Sequence, residues 1–324
     1  MKKENKIHVL CCTDNNFVMQ SSVMMQSVIC NHEDGAIVFH VIIDNSVTEE
    51  SKQLLEEEVA KTSNHIQFHL FESDKIKSYP RIGIKGVHVS QASYYRLFIS
   101  EVLPSDIQRV IYLDGDIIVR HSLQKIWDLD LTGYAIAAVP DGDEGNMLIY
   151  NRLHYPFEYG YFNAGVLVVN LEYWHEHDCV RRCADFMTQH PERILLHDQD
   201  VLNAVFYKEK YNLPIKYNVQ MCYFFRPEEI RIDYNFKYKK QVEEASSDPY
   251  ILHFSSFEKP WVRTSHLPYQ REFRKYYALT PWGNKPLASG KSLKYYLRKI
   301  LESVRIMPRI PSLPYDDKFK ELFD

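Results

Sequence analysis

Four short apolar runs, interleaved with helical patterns, constrain this chain more than any other feature. Ile7 to Cys12, Ile37 to Ile43, His65 to Phe71 and Arg109 to Leu113 read as strands. Between them, Phe17 to Cys30 places apolar residues at three-to-four spacing. Thr48, followed by Glu49 and Glu50, reads as a capped helix start, because acids favour the positive end of a helix. Ser90 to Leu103 reads as a further helix. The runs lack strict alternation, so they read as strands buried on both faces, as in a parallel sheet. The fold class that follows is α/β, a Rossmann-like, mostly parallel, doubly wound sheet. Tyr134 to Tyr207 should continue it with further strands, Phe162 to Leu171 among them. Two helices are expected there, one over Asp198 to Tyr207. The polar, tyrosine-rich stretch from Pro214 to Pro249 shows no assignable pattern.

Charge and composition exclude several classes. Lys+Arg is 39 against 43 Asp+Glu, a net charge of −4, which does not suit a nucleic-acid binder. No run of about 18 apolar residues is present, so no membrane-spanning helix is expected. The start, Met1 to Lys6, runs into a strand without the apolar stretch of a secretory signal, which predicts a cytoplasmic setting. The six cysteines fit neither a disulfide framework nor a metal spacing and read as reduced thiols. No GxGxxG, GxxxxGK[ST] or GxSxG motif occurs, which disfavours dinucleotide oxidoreductases, P-loop enzymes and serine hydrolases of the elbow type. Residues 1–280 read as one domain and 281–324 as an appended tail. From Lys285 to Arg309 that tail holds seven basic residues and one acid, Glu302. Leu293, Tyr296, Leu297, Ile300, Leu301, Val304 and Met307 give it one apolar helical face. Such a helix either lies on an anionic membrane or docks on the protein's own core.

Five local patterns could carry chemistry. Asp114-Gly115-Asp116 ends a hydrophobic strand, and alternate side chains of an extended backbone share a face, so the two carboxylates could meet on one hard cation. The bland alternative is an acidic turn. Asn163 sits in the apolar Tyr161-Phe162-Asn163-Ala164-Gly165, where a buried amide costs roughly 1–3 kcal/mol unless hydrogen-bonded. It either satisfies backbone or faces ligand hydroxyls. His197-Asp198-Gln199-Asp200 opens a helix, with Asp198 as its cap and Asp200 complementing its dipole, unless these side chains serve a ligand. His253, after the strand-like Tyr250-Ile251-Leu252, could complete a cation site, and Lys259 beyond it could meet phosphate. Thr13-Asp14-Asn15-Asn16-Phe17 is a polar strand-to-helix turn that could also bond a base or ribose.

In order, these segments, together with Ser93-Tyr94-Tyr95-Arg96-Leu97, resemble glycosyltransferase family 8 over residues 6 to 262. This is the retaining family that includes glycogenin and bacterial lipopolysaccharide glucosyl- and galactosyltransferases. The resemblance implies a GT-A type fold over residues 1–280. It implies a UDP-glucose or UDP-galactose donor and a glycan or lipid-linked glycan acceptor in lipopolysaccharide or surface polysaccharide synthesis. It implies Mn2+, with Mg2+ as the alternative, held by Asp114, Asp116 and His253. Asp14 and Asn16 would lie near the uridine, Arg96 near nucleotide and donor, His88 near the phosphates and Lys259 on the diphosphate. Asp141, Asn163, Asp198 and Gln199 would surround the donor sugar, with Asp198 and Gln199 as the catalytic pair. Gly115, Ala164 and Ser256 complete the implied contacts, although the family commonly has glycine where Ser256 stands. An amide is a poor nucleophile, so same-face attack is expected, with the departing phosphate taking the acceptor proton. The family context also favours peripheral association of the tail with the inner face of the cell membrane. The competing readings are a non-catalytic nucleotide-sugar binding scaffold and a sugar nucleotidyltransferase. Replacing Arg96 should change donor kinetics without unfolding the chain.

Overall fold

The computed structural model describes residues 6–72, 91–224 and 238–288. His88 and the tail beyond Ala288 lie outside the described residues.

The central sheet has seven strands in the order β3-β2-β1-β4-β7-β6-β8. They are β1 (Ile7–Thr13), β2 (Ile37–Ile43), β3 (His65–Leu70), β4 (Arg109–Leu113), β6 (Ile136–Pro140), β7 (Phe162–Asn170) and β8 (Lys210–Asn212). β1 pairs in parallel with β2 and β4, and β2 with β3. β7 runs against both β4 and β6, and β6 is parallel to β8. Only β7 therefore opposes the common direction, and the sheet is mostly parallel, as the strand pattern predicts. A second, three-stranded sheet joins β5 (Ile117–Val119), β10 (Ile251–His253) and β9 (Val219–Gln220) in that order.

Burial explains the unbroken apolar runs. All seven residues of β2 and all five of β6 are buried. Val9 and Cys11 of β1 point into one core with Ile111, Leu113, Val166 and Val168. Leu10 and Cys12 point to the other side, with Val110, Tyr112, Leu167 and Val169. Each strand thus feeds two cores, one per face, which leaves no position for polar alternation. β3 departs from this expectation. It is the edge strand, and its residues are only partly buried or exposed.

The helices correct the sequence reading in detail. Val18–Cys30 and Glu49–Val59 form as expected, and Thr48 Oγ1 accepts from Ser51 N at 3.1 Å. The helix expected over Ser90 to Leu103 is a 3₁₀ run, Gln91–Phe98, followed by one α turn, Ile99–Val102. Between Tyr134 and Tyr207 there are four α-helices rather than two: Met147–Leu153, Leu171–Glu176, Cys179–Gln189 and His197–Phe206. The unassigned stretch contains β9 and the helix Lys239–Ser247, too short and too polar outside to show a period. Gln270–Tyr277 packs Phe273, Tyr276 and Tyr277 into the first core. The described chain ends on Ala288, whose carbonyl accepts from Arg263 N at 2.9 Å. None of the six cysteines is paired. Among the described residues no helix is long and apolar enough to cross a membrane.

Candidate active site

The two sheets meet at Asp114-Gly115-Asp116. These residues form a turn between β4 and β5, not the extended segment expected. Asp114 N still donates to Gly165 O of β7 at 2.9 Å, prolonging the large sheet by one rung. Asp116 O accepts from Phe254 N at 3.0 Å, which pins the turn's other end to the small sheet. The carboxylates converge because each end of the turn is fixed to a different sheet. Gly115 between them leaves room for the Phe17 ring, which would stand 2.8 Å from a Cβ there and would have to shift.

β10 pairs His253 opposite Ile117 of β5, and this brings the imidazole to the same turn. Nε2 lies 3.3 Å from Asp116 Oδ1 and 4.0 Å from Asp114 Oδ2. One ligand atom from each of the three residues lies within 4.8 Å of the others. The outer carboxylate oxygens are already engaged. Asp114 Oδ1 accepts from Arg96 and from Tyr112 OH, each at 2.7 Å, and Asp116 Oδ2 accepts from Lys259 Nζ at 2.8 Å. That leaves one oxygen of each acid facing the imidazole, a donor set of two carboxylates and one nitrogen that suits a divalent cation. Burial works to raise the Asp116 carboxyl, but Lys259 and His253 beside it hold it well below the ordinary carboxylate range.

Beside this trio a cleft of about 350 Å³ opens at the carboxyl ends of β1 and β4. Thr13, Asp14, Phe17, Arg96, Tyr112, Asp114, Gly115, Asp116 and Lys259 line it. Ligands of open α/β sheets bind at this edge. A larger hollow of about 750 Å³, around Lys6, Arg109 and Asn170, lies at the other end of the sheet and holds none of the residues singled out in the sequence.

A polar network extends from the trio into β7. Asp141 Oδ2 accepts from Asn163 Nδ2 at 2.9 Å and from Gln199 Nε2 at 3.1 Å. Gln199 Oε1 accepts from Ala164 N at 3.0 Å. Asn163 Oδ1 accepts from Gly165 N at 2.9 Å. The buried amide therefore satisfies local backbone and also reaches the site. Asp198 is buried and sits 3.0 Å from Arg96 Nε; burial raises its carboxyl to about 6, while Arg96 opposes the rise. Arg96 is 6% exposed and also donates to Ala164 O at 2.6 Å. It is a buried link between Asp114 and Asp198 rather than a surface group, so the expectation that its loss would spare stability is withdrawn.

Asp198 does not cap its helix. Asp200 instead clamps the turn that leads into the helix, accepting from Leu195 N and Leu196 N at 2.7 Å each, from Arg152 and from Tyr161 OH. His197 takes φ +53, a left-handed value that costs a non-glycine residue energy, and this clamp holds it there.

Of the remaining residues named from sequence, Asp14 accepts from Asn16 N at 2.9 Å, the usual bond of an Asx turn, and the Asn16 side chain is exposed. Ser256 Oγ donates to Glu258 O within its own loop. The sequence reading did not single out Asn218, whose Oδ1 lies 3.0 Å from His253 Nδ1, or Arg152, and it gave Asp200 only a dipole role. Asn218 falls in the stretch without pattern, where nothing local marks a buried asparagine.

Comparison with known proteins agrees with this geometry. The model of "Glycosyl transferase family 8" matches residues 8–265. General stress protein A of Bacillus subtilis is 29% identical over 285 residues, covering 87% of this chain and 96% of that protein. A lipopolysaccharide 1,2-glucosyltransferase of Escherichia coli is 26% identical over 276 residues, covering 84% and 78%. The crystal structure of galactosyltransferase LgtC with donor and acceptor sugar analogs superposes with a TM-score of 0.75 at 22% identity, covering 90% of this chain and all of that one. At that identity the likeness shows the fold. With the family pattern spanning both sheets and the cleft between them, the chain belongs to glycosyltransferase family 8.

Proposed function

We propose that this glycosyltransferase moves glucose or galactose from a UDP-sugar to a glycan or lipid-linked glycan acceptor, with retention at the anomeric carbon and with a divalent cation, Mn2+ or Mg2+. The observation that carries the reading is the convergence of Asp114, Asp116 and His253 beside a cleft that also presents Lys259. The three residues fit the cation, because the oxygens facing His253 are those left over by Arg96, Tyr112 and Lys259. When bound, such a cation neutralises charge on a departing diphosphate.

The chain's own residues supply the rest. Lys259 adds a fixed positive charge beside the same phosphates. Asp14, Asn16 and the turn they shape serve the uridine, and Ser256 offers its backbone to the phosphates. Asp141, Asn163 and Gln199 form one connected edge for sugar hydroxyls. Gln199 Oε1 is engaged by a backbone N–H and its Nε2 by Asp141, so its amide orients the sugar rather than attacking it. Asp198, whose carboxylate form Arg96 favours against the cost of burial, supports positive charge at the anomeric carbon without a covalent step. The departing phosphate then takes the acceptor's proton. The relatedness to lipopolysaccharide glucosyltransferases supports a role in surface glycan synthesis. The basic amphipathic tail supports attachment to the inner face of the cell membrane.

A panel of UDP-sugars, followed by NMR with and without Mn2+, tests the reading. Mn2+-dependent release of UDP, with the transferred sugar keeping its α configuration, is expected for one hexose. Binding without turnover for every donor would leave a scaffold. Diphosphate released from UTP and a sugar phosphate would make the protein a nucleotidyltransferase.

A further inference from the structure

Asn218 is fully buried at the start of β9, immediately behind the imidazole of His253. Its role follows from a chain of hydrogen bonds that begins at an unambiguous donor. The backbone N–H of Gly165 points to one terminal atom of Asn163 at 2.9 Å, so that atom is the carbonyl oxygen. The other terminal atom is then the amide nitrogen, and it donates to the Asp141 carboxylate at 2.9 Å. The Asn163 oxygen also contacts Asn218 at 2.8 Å, so Asn218 turns its NH2 that way. Its carbonyl oxygen is thereby left facing His253 Nδ1, at 3.0 Å. An amide oxygen only accepts, so Nδ1 carries the proton.

We infer that Asn218 is a positioning residue that fixes His253 in the tautomer whose Nε2 is free to ligate a cation. The inference rests on reading Asp114, Asp116 and His253 as a cation site, and it deepens that reading. A ligating imidazole needs its other nitrogen held as a donor, and such partners typically change metal affinity by about 10–100-fold when removed. The placement is built into the fold: β9 pairs in parallel with β10, His253 opposite Gln220, which brings Asn218 alongside the ring. The same chain runs on through Asn163 to Asp141, which also holds Gln199. Metal ligand and sugar-facing amides are therefore oriented by one directional series of donors.

The test uses the full chain and Mn2+, followed by the EPR signal of the free ion. Asn218→Ala should weaken Mn2+ binding by about 10–100-fold. Asn218→Asp keeps an acceptor for Nδ1 but cannot donate to Asn163, and it should restore affinity to near wild type. If Asp proves as poor as Ala, Asn218 serves only packing or Asn163, and the inference is overturned. Equal affinity of wild type and Asn218→Ala overturns it as well, while leaving the cation site intact. Absence of Mn2+ binding by wild type removes the cation site and this role together. Side-chain 15N NMR of metal-free wild type provides a check that survives if the alanine variant does not fold. A His253 Nδ1–H signal protected from solvent exchange is expected, and an unprotonated Nδ1 would overturn the inference.

Discussion

Two residues outside the candidate ligand set, one beside the site and one remote from it, can be probed singly. Gly165 is glycine because His253 lies against it. A Cβ there would stand 2.4 Å from the imidazole Cε1 and 3.0 Å from Asn163 Oδ1. Neither neighbour can retreat without breaking the hydrogen bonds to Asn218. Gly165→Ala should therefore weaken Mn2+ binding by about tenfold or more, read by EPR, while far-UV circular dichroism stays unchanged. Glu58 is a second case, remote from the cleft. It is 2% exposed, its Oε2 accepts from Ser22 Oγ at 2.5 Å, and its Oε1 has no partner. Burial pushes its carboxyl up to about 8 from an ordinary 4.5. The folded state thus holds this proton more tightly than the unfolded chain does. Its contribution to stability is full below pH 4.5 and is lost as the pH rises through 8. The limiting slope is about 1.4 kcal/mol per pH unit. Glu58→Gln removes the titration, so its melting temperature should gain on wild type steadily from pH 5 to pH 8. A difference that stays constant over that range would show Glu58 to be ionised in the fold.

At the scale of elements, the turn that opens the helix His197–Phe206 shows what holds Asp198 and Gln199 in place. Asp200 accepts two backbone N–H groups and Tyr161 OH, and it pairs with Arg152 through both carboxylate oxygens. Removing one partner of such a buried pair typically costs about 3–5 kcal/mol. Asp200→Ala should lower the melting temperature by roughly 5 °C, measured by calorimetry. A fall of only a degree or two would mean that the turn holds itself. This clamp also shows where sequence reading stops. The acids of His197-Asp198-Gln199-Asp200 were legible as a helix start, but not that Asp200 clamps the preceding turn, because that depends on Arg152 and Tyr161 arriving from elsewhere in the chain. The strands were legible because two-sided burial removes polar residues from them. β3 was overestimated because an edge position cannot be read from composition alone. The convergence of the two carboxylates of Asp114-Gly115-Asp116 was legible, although their turn geometry was not, since two sheets impose it from either end. Asn218 was invisible, because the partners of its side chain, Asn163 and His253, are brought in by β7 and β10.

For the whole molecule, the site is a seam. The large sheet supplies Asp114 and, through β7, Asn163; the small sheet supplies His253 and, beyond it, Lys259. Arg96 and Lys259 then neutralise the acids from opposite sides, which allows two carboxylates to sit close together in a partly buried place. The described residues after 280 keep contacts with the rest of the fold. Tyr277 OH donates to Lys285 O at 2.8 Å, and Val262 bridges to Ala288. A deletion starting at 285 would cut into these contacts, whereas one after Ala288 spares them. Truncation after Ala288 should preserve donor hydrolysis and abolish sedimentation with anionic vesicles, and the full chain's sedimentation should fade with added salt. Equal sedimentation of both forms would remove the membrane role from the tail. The central claim is that Asp114, Asp116 and His253 form a cation centre that drives cleavage of a UDP-hexose. The most direct test is UDP release from UDP-glucose and UDP-galactose, with and without Mn2+, by wild type and Asp116→Asn. The account predicts Mn2+-dependent release by wild type and its near abolition in the variant, with an unchanged far-UV circular dichroism spectrum. Release by the variant at the wild-type rate, or by wild type without any divalent cation, would contradict it.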